Sequence, residues 1–335
     1  MLKVVYLILK LKRLPIRSTV AFRPPSTMSQ SAGHNHYFSD YTKKSVQHHE
    51  WRTAANSAAH LLPILKAKVA VTPFLNLLDV GAGSGTITAG PAQLMPSGGV
   101  VAFDISTDIL SSASEHCASL GPTNITTQQG SVYELPFGND AFDIVMILGH
   151  LDQPASALAE MRRVAKKPGG ILAQHESDLR AWTFYPQIKG LKESSAMICA
   201  AHAASGANVD AGPKLVKWAL EIGIAREQIQ AGASSWCYSS ENKREMWGST
   251  MVNACKVGAR REKALDLGIT SKEELEQMVT GWEEWQKAED GWFGCINGEV
   301  IITFRELVNP KRAAFDYREQ NSHVKTSIVE ETKCG

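Results

Sequence analysis

The chain has 335 residues, 44% of them hydrophobic and 21% charged, with a formal net charge of +1. That length can bury a substantial core, and near-neutrality excludes the strong global field that draws a protein to nucleic acid or anionic lipid. Six cysteines, Cys117, Cys199, Cys237, Cys255, Cys295 and Cys334, form no C-x-x-C pair and no regular spacing. They exclude a disulfide framework or zinc site as the organising feature and read as reduced, mostly buried thiols of an intracellular protein.

Residues 1–39 carry Lys3, Lys10, Lys12, Arg13, Arg17 and Arg23, with no acid before Asp40. The apolar run 4–9 is cut by Lys10 and is too short to span a bilayer, so no stable membrane insertion is expected. Two readings of this leader stand. It is a mitochondrial transit peptide, or it is an upstream extension ahead of a second start at Met28. The first gives a mitochondrial protein, the second a cytoplasmic one.

Helical patterning covers 49–68, and a strand at 75–80 then runs into Leu77-Leu78-Asp79-Val80-Gly81-Ala82-Gly83-Ser84-Gly85-Thr86. Glycine at every second position, after an apolar run ending near an acid, describes a turn where backbone approaches a ligand too closely for any Cβ. Residues 86–94 open a helix. A dinucleotide turn needs G-x-G-x-x-G, to seat a pyrophosphate on a helix N-terminus, but here Thr86 takes the place of the third glycine. The G-x-G-x-G spacing, with Asp79 able to help hold an ammonium group, fits S-adenosyl-L-methionine better than NAD.

A second strand, 100–104, ends in Asp104, which lies 19 residues after Gly85. Its carboxylate suits the two hydroxyls of a ribose. A helix over 108–119, a strand over 142–148, a helix over 156–164 and a strand over 170–175 continue the alternation, with Pro168-Gly169-Gly170 as a turn. Together they predict a doubly wound α/β unit with its site at the carboxyl ends of the strands. Beyond Asp178 the signals turn helical at 188–204, 212–221 and 241–261, while 231–239 alternates as a half-buried strand. No internal repeat appears, and the sequence carries no signal for an oligomeric state. A polar tail follows at 309–335.

Five blocks in order, Leu77 to Gly85, Asp104, Glu134-Leu135-Pro136-Phe137, Phe142-Asp143-Ile144-Val145 and Arg162 to Gly170, resemble class I S-adenosylmethionine-dependent methyltransferases of the UbiE/COQ5-like type. The flanks His49-Glu50-Trp51-Arg52 through Ala59, and Asp290-Gly291-Trp292-Phe293 with Gly298-Glu299-Val300-Ile301, resemble a fungal branch that includes dithiol S-methyltransferases of epipolythiodioxopiperazine metabolism. The resemblance covers roughly residues 45–305. It implies a Rossmann-like, doubly wound seven-stranded sheet with helical lid insertions. The methyltransferase domain then spans 40–308, with a core at 70–180 and the lid and last strands at 181–305. The last two strands are 231–239 and 299–304, with helices between them over the substrate mouth.

The resemblance also assigns cofactor contacts. Asp79, Gly81, Ala82, Gly83 and Gly85 line the donor, Asp104 and Ile105 its ribose, Ser131 and Val132 the adenine edge, and Leu148 the neighbourhood of the donor backbone. Arg52 meets the methionine carboxylate and Trp51 walls the pocket; the alternative is a core Trp51 and a surface Arg52. Two departures stand out. Gly130-Ser131 replaces the usual Gly-Asp, leaving a weaker adenine acceptor. The stretch from Phe142 to His150 is about three residues shorter than in the family.

Methyl transfer from an activated sulfonium asks mainly for alignment and exclusion of water, and a thiolate acceptor needs no strong base. Where a base is needed, His150 and the pair His175-Glu176 are the candidates, each with a purely structural alternative. The expected function is thiol or hydroxyl methylation of a small secondary metabolite. Quinone-ring C-methylation and a non-catalytic, donor-binding regulator are the alternatives. No metal and no nucleic-acid partner is expected.

Overall fold

The computed structural model describes residues 51–147 and 151–305. The leader 1–39, the tail 309–335, and Leu148 and His150 lie outside the described residues. So does the centre of the shortened stretch.

The 49–68 helix is two helices, α1 (Ala54–Ser57) and α2 (Leu62–Val71). Between them the chain turns at 58–61, and Pro63 enters α2 at its first turn, where a missing N–H costs nothing. β1 (Asn76–Val80) leads through the glycine turn to α3 (Ala89–Leu94), which starts three residues later than the pattern 86–94 suggested. The Thr88 hydroxyl donates to Asp79 Oδ2 at 2.6 Å, so the residues before Ala89 are spent on the turn.

β2 (Gly99–Asp104), α4 (Thr107–Ser119), β3 (Ile125–Gln129), β4 (Ile144–Ile147), α5 (Pro154–Val164) and β5 (Ile171–Ser177) complete the parallel half. α4 is capped by Ser106, whose hydroxyl accepts from the Ile109 N–H. The Leu-Pro-Phe and Arg-Arg blocks are one clamp. Glu160 Oε2 accepts from the Leu135 N–H at 2.9 Å, Arg163 donates to the carbonyls of Leu135 and Phe137, and Arg163 holds Glu160 at 2.7 Å.

The remaining elements are β6 (Thr183–Tyr185), α6 (Leu191–Ala203), α7 (Ala211–Glu221), β7 (Ile229–Tyr238), α8 (Glu241–Lys256), α9 (Ala259–Asp266), α10 (Lys272–Lys287) and β8 (Trp292–Thr303). The helix expected over 241–261 breaks at Gly258, whose φ of +99° ends α8 and starts α9. Along the sheet the order is β3-β2-β1-β4-β5-β8, with β7 on the other side of β8. Seven strands make the expected doubly wound sheet. The three-residue β6, paired to the start of β8, is an eighth that the sequence did not signal.

β1 to β5 are parallel, and β8 runs antiparallel to β5, β6 and β7. Leu78, Val145, Leu172 and Ile302 pack on one face against α5 and α7; Leu77, Met146, Ala173 and Ile301 pack on the other against Leu61 and Leu65 of the α2 region and Met95. Each such side chain taken from water contributes about 1.5–3 kcal/mol. A third cluster joins α6, α8, α9 and α10 to the ends of β7 and β8, with Trp282, Trp285, Tyr238 and Phe293 fully buried. Its helices α8 to α10 lie between β7 and β8 in the chain, the position expected for the lid.

Candidate functional site

The glycine turn is built by backbone. The N–H groups of Gly81 and Ala82 both donate to the Phe103 carbonyl, at 2.8 and 3.0 Å, tying the turn to the end of β2. Gly81, Gly83 and Gly85 have φ of +70°, +56° and +75°. A Cβ on Gly81 or Gly83 would meet nothing within 4 Å, whereas one on Gly85 would meet Cys117 Sγ at 2.9 Å and Ala113 at 3.1 Å. The first two therefore leave open space beside the backbone, and the third lets the turn pack on α4.

Asp104 closes the turn. Its Oδ2 accepts from the Gly83 N–H at 3.1 Å and its Oδ1 from the Ser106 N–H at 3.0 Å. Each carboxylate oxygen keeps a further lone pair for an outside donor, as a diol requires. Ile105 beside it is 42% exposed. The Gly130 N–H donates to the Asp104 carbonyl at 3.0 Å, which brings Ser131 and the half-buried Val132 to the same edge. The Ser131 hydroxyl accepts from the Tyr133 N–H at 3.3 Å.

Asp79 is 2% exposed, and burial pushes its carboxyl up to about 7, opposed by the Thr88 hydrogen bond and helped by Asp104. A cation placed beside it would favour the charged form. The residues present thus fit a ligand with a ribose and a positive centre, and they include no phosphate cradle.

Further along the same edge the chain brings different groups together. Trp51 packs edge-on to Trp236 and Tyr238, with centroids at 5.3 and 4.9 Å, and so belongs to the lid cluster. Arg52 lies over the Trp236 ring at 4.7 Å. Trp236 Nε1 donates to the Asn56 carbonyl at 2.9 Å, fixing the α1 segment across the sheet.

His175 and Glu176 do not act as a pair. Successive strand residues face opposite sides, and His175 stacks toward His60 and Trp236, whereas Glu176 turns to a small cleft with Gln174, Asn208 and Leu215. Burial drives His175 down to about 3, with Arg52 and His60 adding to it, and drives Glu176 up to about 8, opposed by Arg52. At neutral pH His175 is a neutral, very weak base and Glu176 is largely protonated. The expected adjacency in sequence becomes separation in space.

Sequence reading missed His60, Ser177, Ser234, Asn297 and Glu299, which join His175 on one face. Among the described residues no group of three or more His, Cys, Asp or Glu side chains is placed to hold a metal, and the five described cysteines are free thiols. No described helix is long and apolar enough to cross a membrane.

The family described as a methyltransferase domain matches residues 72–245, just over half of the chain, and the protein belongs to it. The chain is 29% identical over 83% of its length to an uncharacterized methyltransferase of Schizosaccharomyces pombe, covering 100% of that protein. It is 29% identical over 82% of its length to the Aspergillus luteorubrus protein named "Probable methyltransferase ltbC", covering 99% of it. A structure of phosphoethanolamine N-methyltransferase 2 of Haemonchus contortus with S-adenosyl-L-methionine matches 73% of this chain and 52% of that one, at 18% identity and a TM-score of 0.43. The protein is an enzyme, an S-adenosyl-L-methionine-dependent methyltransferase of class I fold, whose product from the donor is S-adenosyl-L-homocysteine.

Proposed function

We propose that the protein methylates a thiol or hydroxyl of a small secondary metabolite in the cytoplasm, as a UbiE/COQ5-like enzyme of the fungal branch that includes dithiol S-methyltransferases. The observation that carries the donor site is Asp104, held by the Gly83 and Ser106 N–H groups beside the open Gly81 and Gly83. Two fungal relatives matched almost end to end support the fungal assignment.

In this reading Asp104 and Ile105 take the ribose, Ser131 and Val132 the adenine edge, and Gly81, Ala82, Gly83 and Gly85 shape the floor. Asp79 faces the ammonium group, Arg52 the methionine carboxylate, and Trp51 walls the mouth; Leu148, outside the described residues, is assigned to the donor by the resemblance alone. The acceptor enters between this edge and the aromatic lid.

Calorimetric titration with S-adenosyl-L-methionine and S-adenosyl-L-homocysteine, with NADH as control, tests it. Micromolar binding of the first two, about −8 kcal/mol, is expected with none for NADH. Asp104→Ala should weaken both by roughly tenfold to a hundredfold, the worth of hydrogen bonds to a charged group. Unchanged affinity in the folded variant would remove the ribose assignment.

A further inference from the structure

The sheet register places a second set of groups level with the donor edge. Val80 pairs with Phe103 and with Ile147, Ile147 with Gln174, Gln174 with Val300, and Val300 with Ala231, so these residues form one row across the sheet. One step toward the carboxyl edge, the next row runs from Asp104 through Gly81 to His175, Glu299 and Gly232. Two rows further on, and so on the same face, come Ser177, Asn297 and Ser234. With strands about 4.8 Å apart, Glu299 lies three strands, roughly 14 Å, from the end of β1.

Side-chain parity puts Asp79, His175, Ser177, Asn297 and Glu299 on the face that also carries Leu77, Ala173 and Ile301. Toward the amino ends of the parallel strands this face is apolar, and toward the lid it is aromatic. Between lies a polar band closed over by the turn at 58–61. Its hydrogen bonds are incomplete. Asn297 is 0% exposed, its Oδ1 accepts from the Ser177 hydroxyl at 2.6 Å, and its Nδ2 has no acceptor. The hydroxyl of Tyr238, also 0% exposed, has no partner, and the His60 ring faces the Gln174 backbone as well as Glu299. Buried polar groups are normally paired, so the band is a place where a polar partner would complete the hydrogen bonding.

His60 is the group poised for proton transfer. Its side chain is 10% exposed, its Nδ1 lies 3.6 Å from Glu299 Oε1, and its ring stacks at 6.1 Å on His175. His175 Nε2 in turn faces the Ser234 hydroxyl at 3.5 Å. The groups facing His60 are therefore Glu299 from β8 and His175 from β5, with Arg52 acting on His175 from the chain before α1. Burial lowers the basicity of His60 and Glu299 opposes this.

Building on the methyl-transfer reading above, we propose that this face holds the acceptor and that His60, backed by Glu299, takes the proton from the acceptor's thiol. The S–H bond breaks and its proton passes to a His60 ring nitrogen. The sulfur electron pair forms the bond to the donor methyl carbon, the methyl–sulfonium bond breaks, and its pair stays on the donor sulfur. His60 then releases the proton to water. A neutral imidazole can take the proton of a thiol, whose ordinary pKa lies near 8.5, without help from a stronger base. His60 is a catalytic residue in this scheme, and Glu299 is a positioning residue.

The test uses purified full-length protein, S-adenosyl-L-methionine, and two probe thiols. Benzyl mercaptan is mainly neutral at pH 7.5 and thiophenol mainly ionised. His60→Gln should lower turnover of benzyl mercaptan by about a hundredfold or more and that of thiophenol by less than about threefold. His60→Asn serves as a second variant should the first not fold. Glu299→Gln should shift the acidic limb of the benzyl mercaptan pH profile and, by NMR of the labelled histidine rings, the His60 titration.

Equal losses with both thiols, an unmoved His60 titration in Glu299→Gln, or no turnover of either thiol by wild type that binds S-adenosyl-L-homocysteine would each overturn the proposal. Failure of wild type to bind S-adenosyl-L-homocysteine would instead overturn the donor-site reading beneath it.

Discussion

The two ends of the sheet are built on opposite principles. Around β1 and β2 the groups brought together are backbone N–H, carbonyl and missing Cβ atoms, with two carboxylates, Asp104 and the buried Asp79, beside them. Around β5, β8 and β7 the working groups are long side chains, His60, His175, Asn297, Tyr238 and Glu299, held among aromatic rings. A backbone site is suited to a ligand that does not change, such as the donor. A side-chain site can vary with the acceptor while the sheet under it stays the same.

The sharpest way to separate the two ends is Trp282→Ala. Trp282 is fully buried in the lid and its Nε1 donates to Ser194 Oγ at 3.0 Å. Loss of about 3–5 kcal/mol is expected in urea unfolding, with the donor turn untouched by direct contact. Next comes a pair within the turn itself. Gly83→Val should cost donor affinity about a hundredfold, with a stability loss limited to the strain of a side chain at φ +56°, because its Cβ meets nothing within 4 Å. Gly85→Val should lower the melting temperature further, because its Cβ also meets Cys117 and Ala113. Similar effects of both on stability would erase the distinction between floor and packing glycines.

A pH experiment addresses the same end. Asp79 ionises near pH 4 in an unfolded chain, and burial raises it to about 7 in the folded one. The folded state then binds more protons than the unfolded between those values, so the Asp79 contribution makes stability fall as pH rises from about 4 to 7. His175, lowered to about 3, acts with the opposite sign between about 3 and 6.5. Asp79→Asn should remove the first contribution only, and thermal melts across pH 4–8 should lose that part of the slope. The smallest effect expected is a gain. Ser131→Asp restores a charged acceptor at the adenine edge and should tighten donor binding severalfold, about 1 kcal/mol by calorimetry.

The turn proposed to hold the donor was legible as geometry because its shape is carried by spacing. Three glycines and Asp104 sit where a strand, a turn and a second strand put them, and a linear pattern is enough. The other end depends on parity and strand order. Glu299 and Asn297 meet His175 and Ser177 only because β8 inserts beside β5, and His60 joins them only because the helix expected over 49–68 turns at 58–61. β8 itself runs from Trp292, seven residues before the 299 that the resemblance implied. Gly298 is where the strand passes so close to Gly212 of α7 that a Cβ would not fit. β3 was missed because Ile125-Thr126-Thr127-Gln128-Gln129 is a polar edge strand, and β6 because three residues carry no period.

The position of β8 also orders events in time. A ribosome delivers β1 to β5 and the glycine turn long before Trp292 emerges, yet among the described residues it is β8 that joins β5, β6 and β7. Until β8 is made, β5 lacks the neighbour on its far edge and β7 the strand it pairs with in the finished sheet. The last described strand slides between them, joins the two halves, and with Asn297 and Glu299 supplies the wall that the acceptor would meet.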